Sequence, residues 1–158
     1  MSAIELIAAG ILILILLPIA VIDARERRIP NWLNAVLALA GLGFLATTAP
    51  TSMAVLRGLI APIAIVALFL GLIGVMKLLR RPGTLGLGDV KFLAASSLWI
   101  GFVGSTLLFV IASLLLVAVT VGGARWRKLD LKAAIPFGPF LAVSLAVIFL
   151  STALTPPA

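Results

Sequence analysis

The feature that most constrains this chain is a series of long segments without a charged residue, separated by short charged segments. The uncharged runs cover residues 6–22, 32–56, 58–76, 92–124 and 133–158. About 20 apolar residues in a helix cross the hydrocarbon core of a bilayer. A chain inside lipid must also satisfy its backbone polar groups internally, as a helix does. The sequence therefore predicts an all-α integral membrane protein, and no linker or repeat marks a second domain within residues 1–158.

The composition narrows the possible chemistry. The chain is 63% hydrophobic and 11% charged, with a mean hydropathy of +1.33. Histidine, cysteine and tyrosine are absent, which excludes Ser-His and Cys-His nucleophilic pairs, thiolate or imidazole zinc sites, and disulfides. The net charge is +7, but the basic residues fall in short loops instead of on one soluble face. We therefore expect a lipid bilayer, and no nucleic acid, as a partner.

Six transmembrane helices are predicted, and the fourth is short. The run 92–124 would be about 50 Å long as one helix, against a hydrocarbon core of about 30 Å. A break at residues 101–104 is therefore expected, next to a preceding helix over about 90–100 and a following helix over about 105–121. The other helices are predicted at about residues 4–22, 32–46, 53–76 and 134–154.

The positions of the basic residues predict the orientation. With six helices, all of the 12 basic residues except Arg57 lie on one side of the membrane, which the positive-inside rule makes cytoplasmic. Both termini are then non-cytoplasmic. The first helix is expected to be retained, because no basic residue precedes it as in a cleaved signal peptide. The cytoplasmic basic residues are Arg25, Arg27, Arg28, Lys77, Arg80, Arg81, Lys91, Arg125, Arg127, Lys128 and Lys132.

Two aspartates are the leading candidates for chemistry. Asp23 ends the first predicted helix, and Asp89 begins the fourth, so both lie at the cytoplasmic membrane edge. Ionisable groups near hydrocarbon are costly and are usually functional. Two adjacent carboxylates share one proton, so the charged member can take a proton from water while the neutral member polarises a scissile carbonyl. Gly86 and Gly88 are expected to let the backbone bend sharply near an extended peptide.

Structural interpretations compete with this chemistry. Asp89 could be the N-cap of the fourth helix and accept from the N–H of Lys91 or of Phe92. Asp23 could be an interfacial charge paired with Arg27. A Ser-Lys dyad from Lys91 with Ser96 or Ser97 is conceivable, but this helical spacing does not place both residues on one face.

Two motifs carry a resemblance to a known family. Asp23 is followed by Arg28-Ile29-Pro30-Asn31, and the run Gly86-Leu87-Gly88-Asp89-Val90-Lys91 follows later in the chain. Together they resemble the type IV prepilin peptidases, in particular the short forms that serve Flp or tight-adherence pili. The run 136–140, Pro-Phe-Gly-Pro-Phe, resembles the motif in the last helix of that family.

The resemblance implies a specific activity. It implies that Asp23 and Asp89 are the catalytic aspartates of a GxGD aspartic protease without metal or other cofactor. Gly86, Gly88, Lys91, Arg28, Pro30 and Asn31 would position them. The implied substrate is a type IV or Flp-like prepilin, whose short basic leader is cut after a glycine at the cytoplasmic face of the inner membrane. Longer members also methylate the new N-terminus and carry paired cysteines in an extra segment, for which this chain has no counterpart.

A non-enzymatic membrane scaffold or small transporter remains the alternative, with both aspartates as helix caps or ion ligands. A transporter typically places its acidic residues near the middle of the membrane, at broken helices. Both aspartates are predicted at the membrane edge, which favours the protease.

Overall fold

In a computed structural model the chain forms a bundle of α-helices, described for residues 2–49, 51–80, 86–127 and 135–154. The helices in these residues are α1 (Ala3–Glu26), α2 (Asn31–Thr48), α3 (Ser52–Leu78), α4 (Leu87–Arg127) and α5 (Gly138–Leu154). The all-α prediction is confirmed. Of the predicted basic loops, Arg81, Lys128, Lys132 and the side chains of Arg125 and Arg127 lie outside the described part of the chain.

The residues at the helix ends explain where α1 begins and ends and where α2 begins. Ser2 caps α1 in a capping box with Glu5, which satisfies amide groups that lack a partner inside the helix. Arg27 ends α1 in the left-handed conformation, with φ 55°. Pro30 is the N-cap of α2 and its carbonyl accepts from the N–H groups of Leu33 and Asn34. Only three residues outside the helices, 28–30, and the Arg27 cap therefore join α1 to α2.

The long helix α4 is interrupted where the sequence predicted a break. Gly101 has φ 72° and ψ −179°, which is not helical and which a residue with a Cβ rarely adopts. The buried hydroxyl groups of Ser96 and Ser105 are hydrogen-bonded across this point at 3.1 Å. Gly101 therefore divides α4 into two helical segments that meet at a kink. The described residues contain four candidate membrane spans and one shorter apolar helix, so the six-helix count stays a prediction.

The helices have the length and composition of membrane spans. α1, α2, α3 and the Leu87–Gly123 part of α4 are each long and apolar enough to cross a bilayer, and α5 is a shorter apolar helix. Large apolar side chains such as Leu14, Ile63 and Val103 are exposed on the outside of the bundle, as expected for surfaces that face lipid. The chain is a multi-pass membrane protein.

The long helix α4 organises the bundle. It packs against α2, α3 and α5, and α5 also packs against α1. In the described part of the chain, α1 and α4 do not pack directly on one another. Close approach at the α2–α4 contact depends on Gly41, where an added Cβ would lie 2.7 Å from Trp99 Nε1. The Trp99 indole N–H donates to the Leu37 carbonyl at 3.0 Å. Small residues and interhelical hydrogen bonds of this kind hold membrane helices together.

Candidate active site

One end of the bundle contains both candidate aspartates. α1 ends there at Glu26, and α2, α4 and α5 begin there. Asp23 lies in the last turn of α1, and Asp89 lies in the first turn of α4. The sequence prediction that the two residues occupy corresponding ends of their helices agrees with this arrangement.

Asp23 is buried and bonded to the start of α5. Its side chain is 5% exposed, and its Oδ2 accepts a hydrogen bond from the Gly138 backbone N–H at 2.7 Å. The ion pair formed at this end by the described residues joins Arg28 to Glu26 at 2.7 Å. The alternative pairing of Asp23 with Arg27 is therefore wrong, since Arg27 contacts Asp23 through its backbone N–H, which donates to the Asp23 carbonyl at 2.9 Å.

Asp89 is half-buried and interacts with the residue that precedes α4. Its Oδ2 accepts from the Gly86 N–H at 3.3 Å, while its own N–H donates to the Gly86 carbonyl at 3.1 Å. The Asp89 side chain, in the first turn, thus makes one half of a capping box; Gly86 has no side chain to make the other half. The alternative of Asp89 as the N-cap that accepts from Lys91 or Phe92 is therefore wrong, although the carboxylate does satisfy an amide at the helix start.

The two carboxyl groups lie at the same end of the bundle, one in the last turn of α1 and the other in the first turn of α4. They are carried by helices that do not pack directly on one another, and α5 contacts both helices. The helix α5 therefore links the helix that carries Asp23 to the helix that carries Asp89. Two carboxyl groups that share a proton can activate water, so this end of the bundle is the candidate place for such a dyad.

The segment between α1 and α2 supports the first turn of α4. Ile29 lies against Gly88, where an added Cβ would be 3.7 Å from the Ile29 Cβ. The Lys91 ammonium group donates to Asn31 Oδ1 at 2.8 Å, and Asn34 Nδ2 donates to the Gly88 carbonyl at 3.4 Å. The two motifs, distant in sequence, therefore contact each other through backbone and side chains.

Two glycines and one arginine, Gly86, Gly88 and Arg28, were also predicted to position the aspartates. Gly86 and Gly88 do not have a positive φ; the glycine that does, among the described residues, is Gly101. Gly88 lies in the first turn of α4. Residues 81–85, which precede Gly86, lie outside the described part of the chain, so the expected sharp bend stays a prediction. Arg28 is exposed and bonded to Glu26.

The serine residues of α4 are not part of the site. Ser96 and Ser97 are buried and donate to the carbonyl groups of Leu93 and Ala94 in their own helix. Lys91 is exposed and bonded to Asn31. The described residues therefore form no Ser-Lys dyad.

Sequence reasoning missed Asn34 and the specific role of Gly138. Asn34 stands in an apolar segment between Leu33 and Ala35, and its burial in a membrane helix was a signal that it contacts another polar group. Gly138 was recognised only as one member of the 136–140 run. Nothing in the sequence indicated that its N–H would bond to a residue 115 positions earlier.

Two cavities lie beside this cluster and share Asn31. One, of about 470 Å³, is more polar and is lined by Ile22, Glu26, Arg28, Ile29, Pro30, Asn31 and Trp32. The other, of about 360 Å³, lies between α2, α3 and α4 and is lined mainly by small and apolar residues, with Asn31, Asn34 and Lys91 as its polar members. In the described part of the chain, no three carboxylate, histidine or cysteine side chains are grouped as a metal site would need.

Comparison with known proteins links this arrangement to a peptidase family. The model of the type IV leader peptidase family matches residues 10–121. The chain is 33% identical over 135 residues to the prepilin leader peptidase/N-methyltransferase of Dickeya chrysanthemi, which covers 84% of the chain and 46% of that protein. It is 45% identical over 69 residues to leader peptidase HopD of Escherichia coli, which covers 43% of the chain and 44% of that protein.

A third relative extends the same likeness over most of the chain. The prepilin leader peptidase/N-methyltransferase of Burkholderia pseudomallei strain 1026b is 33% identical over 144 residues, or 87% of the chain and 44% of that protein. The chain therefore spans about half the length of the curated relatives it matches. No solved structure gives a significant match to the chain.

Proposed function

Because the chain belongs to the type IV leader peptidase family, we propose that it is an aspartic endopeptidase that cleaves prepilin leaders at the membrane. The observation that carries the proposal is the position of two aspartates, Asp23 in the last turn of α1 and Asp89 in the first turn of α4, at one end of a membrane bundle. The described helices act as one peptidase unit. Asp23 and Asp89 are its catalytic residues, and Gly86, Gly88, Lys91, Pro30 and Asn31 support the turn that carries Asp89.

The proposed reaction is peptide hydrolysis by a dyad with one proton between its two members. The charged carboxylate takes a proton from water as the water oxygen attacks the scissile carbonyl carbon. The neutral carboxyl hydrogen-bonds to the carbonyl oxygen, where negative charge develops. The carbon–nitrogen bond then breaks, and the leaving amine takes a proton from the dyad, which restores the starting state.

The proposed substrate is a type IV or Flp-like prepilin. Its short basic leader would be cut after a glycine, immediately before the hydrophobic helix of the pilin. The more polar cavity suits the leader and the apolar cavity between α2, α3 and α4 suits the start of the hydrophobic helix, since the two meet at Asn31. We place the site at the cytoplasmic face of the inner membrane, with six spans formed by the division of α4 at Gly101.

The test is cleavage of a synthetic prepilin leader by the purified protein in liposomes, followed by mass spectrometry of the products. The expected product ends at the leader glycine. A matched peptide with valine in place of that glycine is the control and should remain intact. Absence of cleavage by folded protein, or equal cleavage of both peptides, would contradict the proposal.

A further inference from the structure

The first turn of α5 holds the Asp23 carboxylate through one backbone amide. The Gly138 N–H donates to Asp23 Oδ2 at 2.7 Å between buried partners. Hydrogen bonds to a carboxylate are among the stronger ones in proteins, and this bond is stronger still away from water. Gly138 begins α5, so the positive end of the α5 dipole also faces the carboxylate.

Among residues 138–141, the first four of α5, Gly138 has the amide that is left to serve Asp23 in this way. Pro139, the next residue, has no N–H to donate. The N–H groups of Phe140 and Leu141 both donate to the Phe137 carbonyl at 3.1 Å. The order Phe-Gly-Pro-Phe therefore directs a single amide, that of Gly138, towards the carboxylate.

The absence of a side chain at position 138 is equally important. An added Cβ would lie 2.7 Å from Asp23 Cβ, Cγ and Oδ2, closer than such atoms approach. Asp23 Cβ is attached to the α1 backbone, so a side-chain rotation cannot move it away. A residue larger than glycine must displace the carboxylate or separate α5 from α1.

We infer that Gly138 is a positioning residue of the peptidase, which acts through Asp23. Its N–H holds the Asp23 carboxylate at the start of α5, and the missing side chain leaves room for that carboxylate. This inference rests on the proposed peptidase activity.

The test compares Gly138→Ala with a variant that creates equal crowding elsewhere. Gly41→Ala is the matched control, because a Cβ at position 41 would also lie 2.7 Å from its nearest neighbour, Trp99 Nε1, far along the chain from either aspartate. Both variants are measured for kcat and KM with the leader peptide, per molecule of folded protein. A displacement of about 1 Å at a reacting group can cost about 10²-fold in rate.

We expect Gly138→Ala to lose about 10²-fold in kcat with little change in KM, and Gly41→Ala to keep its kcat although it is less stable. Retention of kcat by Gly138→Ala, or an equal loss of kcat per folded molecule in Gly41→Ala, would overturn the inference. If Gly138→Ala does not fold, the double variant Gly138→Ala/Asp23→Gly removes the crowding and should restore the folded level. Failure of that rescue would also overturn it.

The wild-type protein separates this inference from the proposed activity. No cleavage by the wild type would overturn the peptidase assignment itself. Cleavage by the wild type, loss of cleavage in Asp23→Asn and full activity in Gly138→Ala would overturn the role of Gly138 alone.

Discussion

Replacement of Asn34 by leucine should separate stability from activity. Asn34 is 5% exposed, its Nδ2 donates to the Gly88 carbonyl at 3.4 Å, and its Oδ1 has no partner among the described residues. Hydrogen bonds between membrane helices contribute about 0.6 kcal/mol on average, whereas a buried unpaired acceptor costs about 1–3 kcal/mol. Asn34→Leu has a similar volume and should therefore raise the free energy of unfolding by about 0.5–2.5 kcal/mol.

The same substitution should slow cleavage. Without the Asn34 amide, the Gly88 carbonyl loses the bond that ties the first turn of α4, with Asp89, to α2. If the lost hydrogen bond raises the activation free energy by about 0.6 kcal/mol, the rate of cleavage falls about threefold. Asn34→Ala is the control for volume, because it removes the same amide but leaves a void, and it should be less stable than Asn34→Leu.

Denaturant titration in mixed micelles, followed by tryptophan fluorescence, measures the first effect, and kcat with the leader peptide measures the second. A leucine variant that is less stable than the wild type by more than about 1 kcal/mol would refute the reasoning, because Asn34 Oδ1 must then be satisfied in the folded protein. Unchanged kcat would refute the link between Asn34 and the position of Asp89.

Three further predictions concern the turn that carries Asp89 and the membrane topology. Gly88→Ala should keep cleavage and add about 0.5–1 kcal/mol of stability, because a Cβ there makes an ordinary contact with Ile29 and favours the helix. Gly88→Val places a branched side chain against Ile29 and should lower cleavage more than protein abundance; equal losses of cleavage and abundance would indicate a folding role instead. Lys91→Met and Asn31→Ala should each cost about 0.5–1.5 kcal/mol in unfolding experiments, with the double variant no worse than either single one, whereas additive losses would contradict a shared bond. A reporter fused after Leu154 should be non-cytoplasmic and one fused after Arg80 cytoplasmic; a cytoplasmic reporter after Leu154 would contradict the six-span topology.

The helices and the ends that carry the aspartates could be predicted from the sequence because apolar length and charge determine them. The break in α4 was also predictable, since the run 92–124 is too long for one straight span and contains glycines at 101 and 104. The element bounds shifted by a few residues: α1 extends to Glu26, and α5 begins at Gly138. Helical segments that continue past the hydrocarbon core leave no hydropathy signal at their ends.

The partners of each carboxylate could not be predicted because they are backbone amides. Gly138 and Gly86 bind Asp23 and Asp89 through N–H groups that every residue except proline possesses, so sequence chemistry does not distinguish them. Sequence reasoning offered the charged side chain of Arg27 as an alternative partner for Asp23, and the amides of Lys91 and Phe92, instead of that of Gly86, for Asp89. The glycines of the Gly86–Asp89 run were expected to let the backbone bend sharply. Gly88 lies in the first turn of α4, where a Cβ would make an ordinary contact with Ile29.

The central claim is that Asp23 and Asp89 act as one catalytic unit. The most direct measurement is leader cleavage, followed as a mobility shift of the pilin substrate, in Asp23→Asn, Asp89→Asn and the double variant, with Glu26→Gln as an exposed acidic control at the same end. Each aspartate variant should be inserted at near-normal abundance and process no substrate, the double variant should be no worse than either single one, and Glu26→Gln should remain active. If the aspartates only satisfied helix ends, each change would cost about 1 kcal/mol of stability, and substantial processing by Asp23→Asn or Asp89→Asn would contradict the dyad.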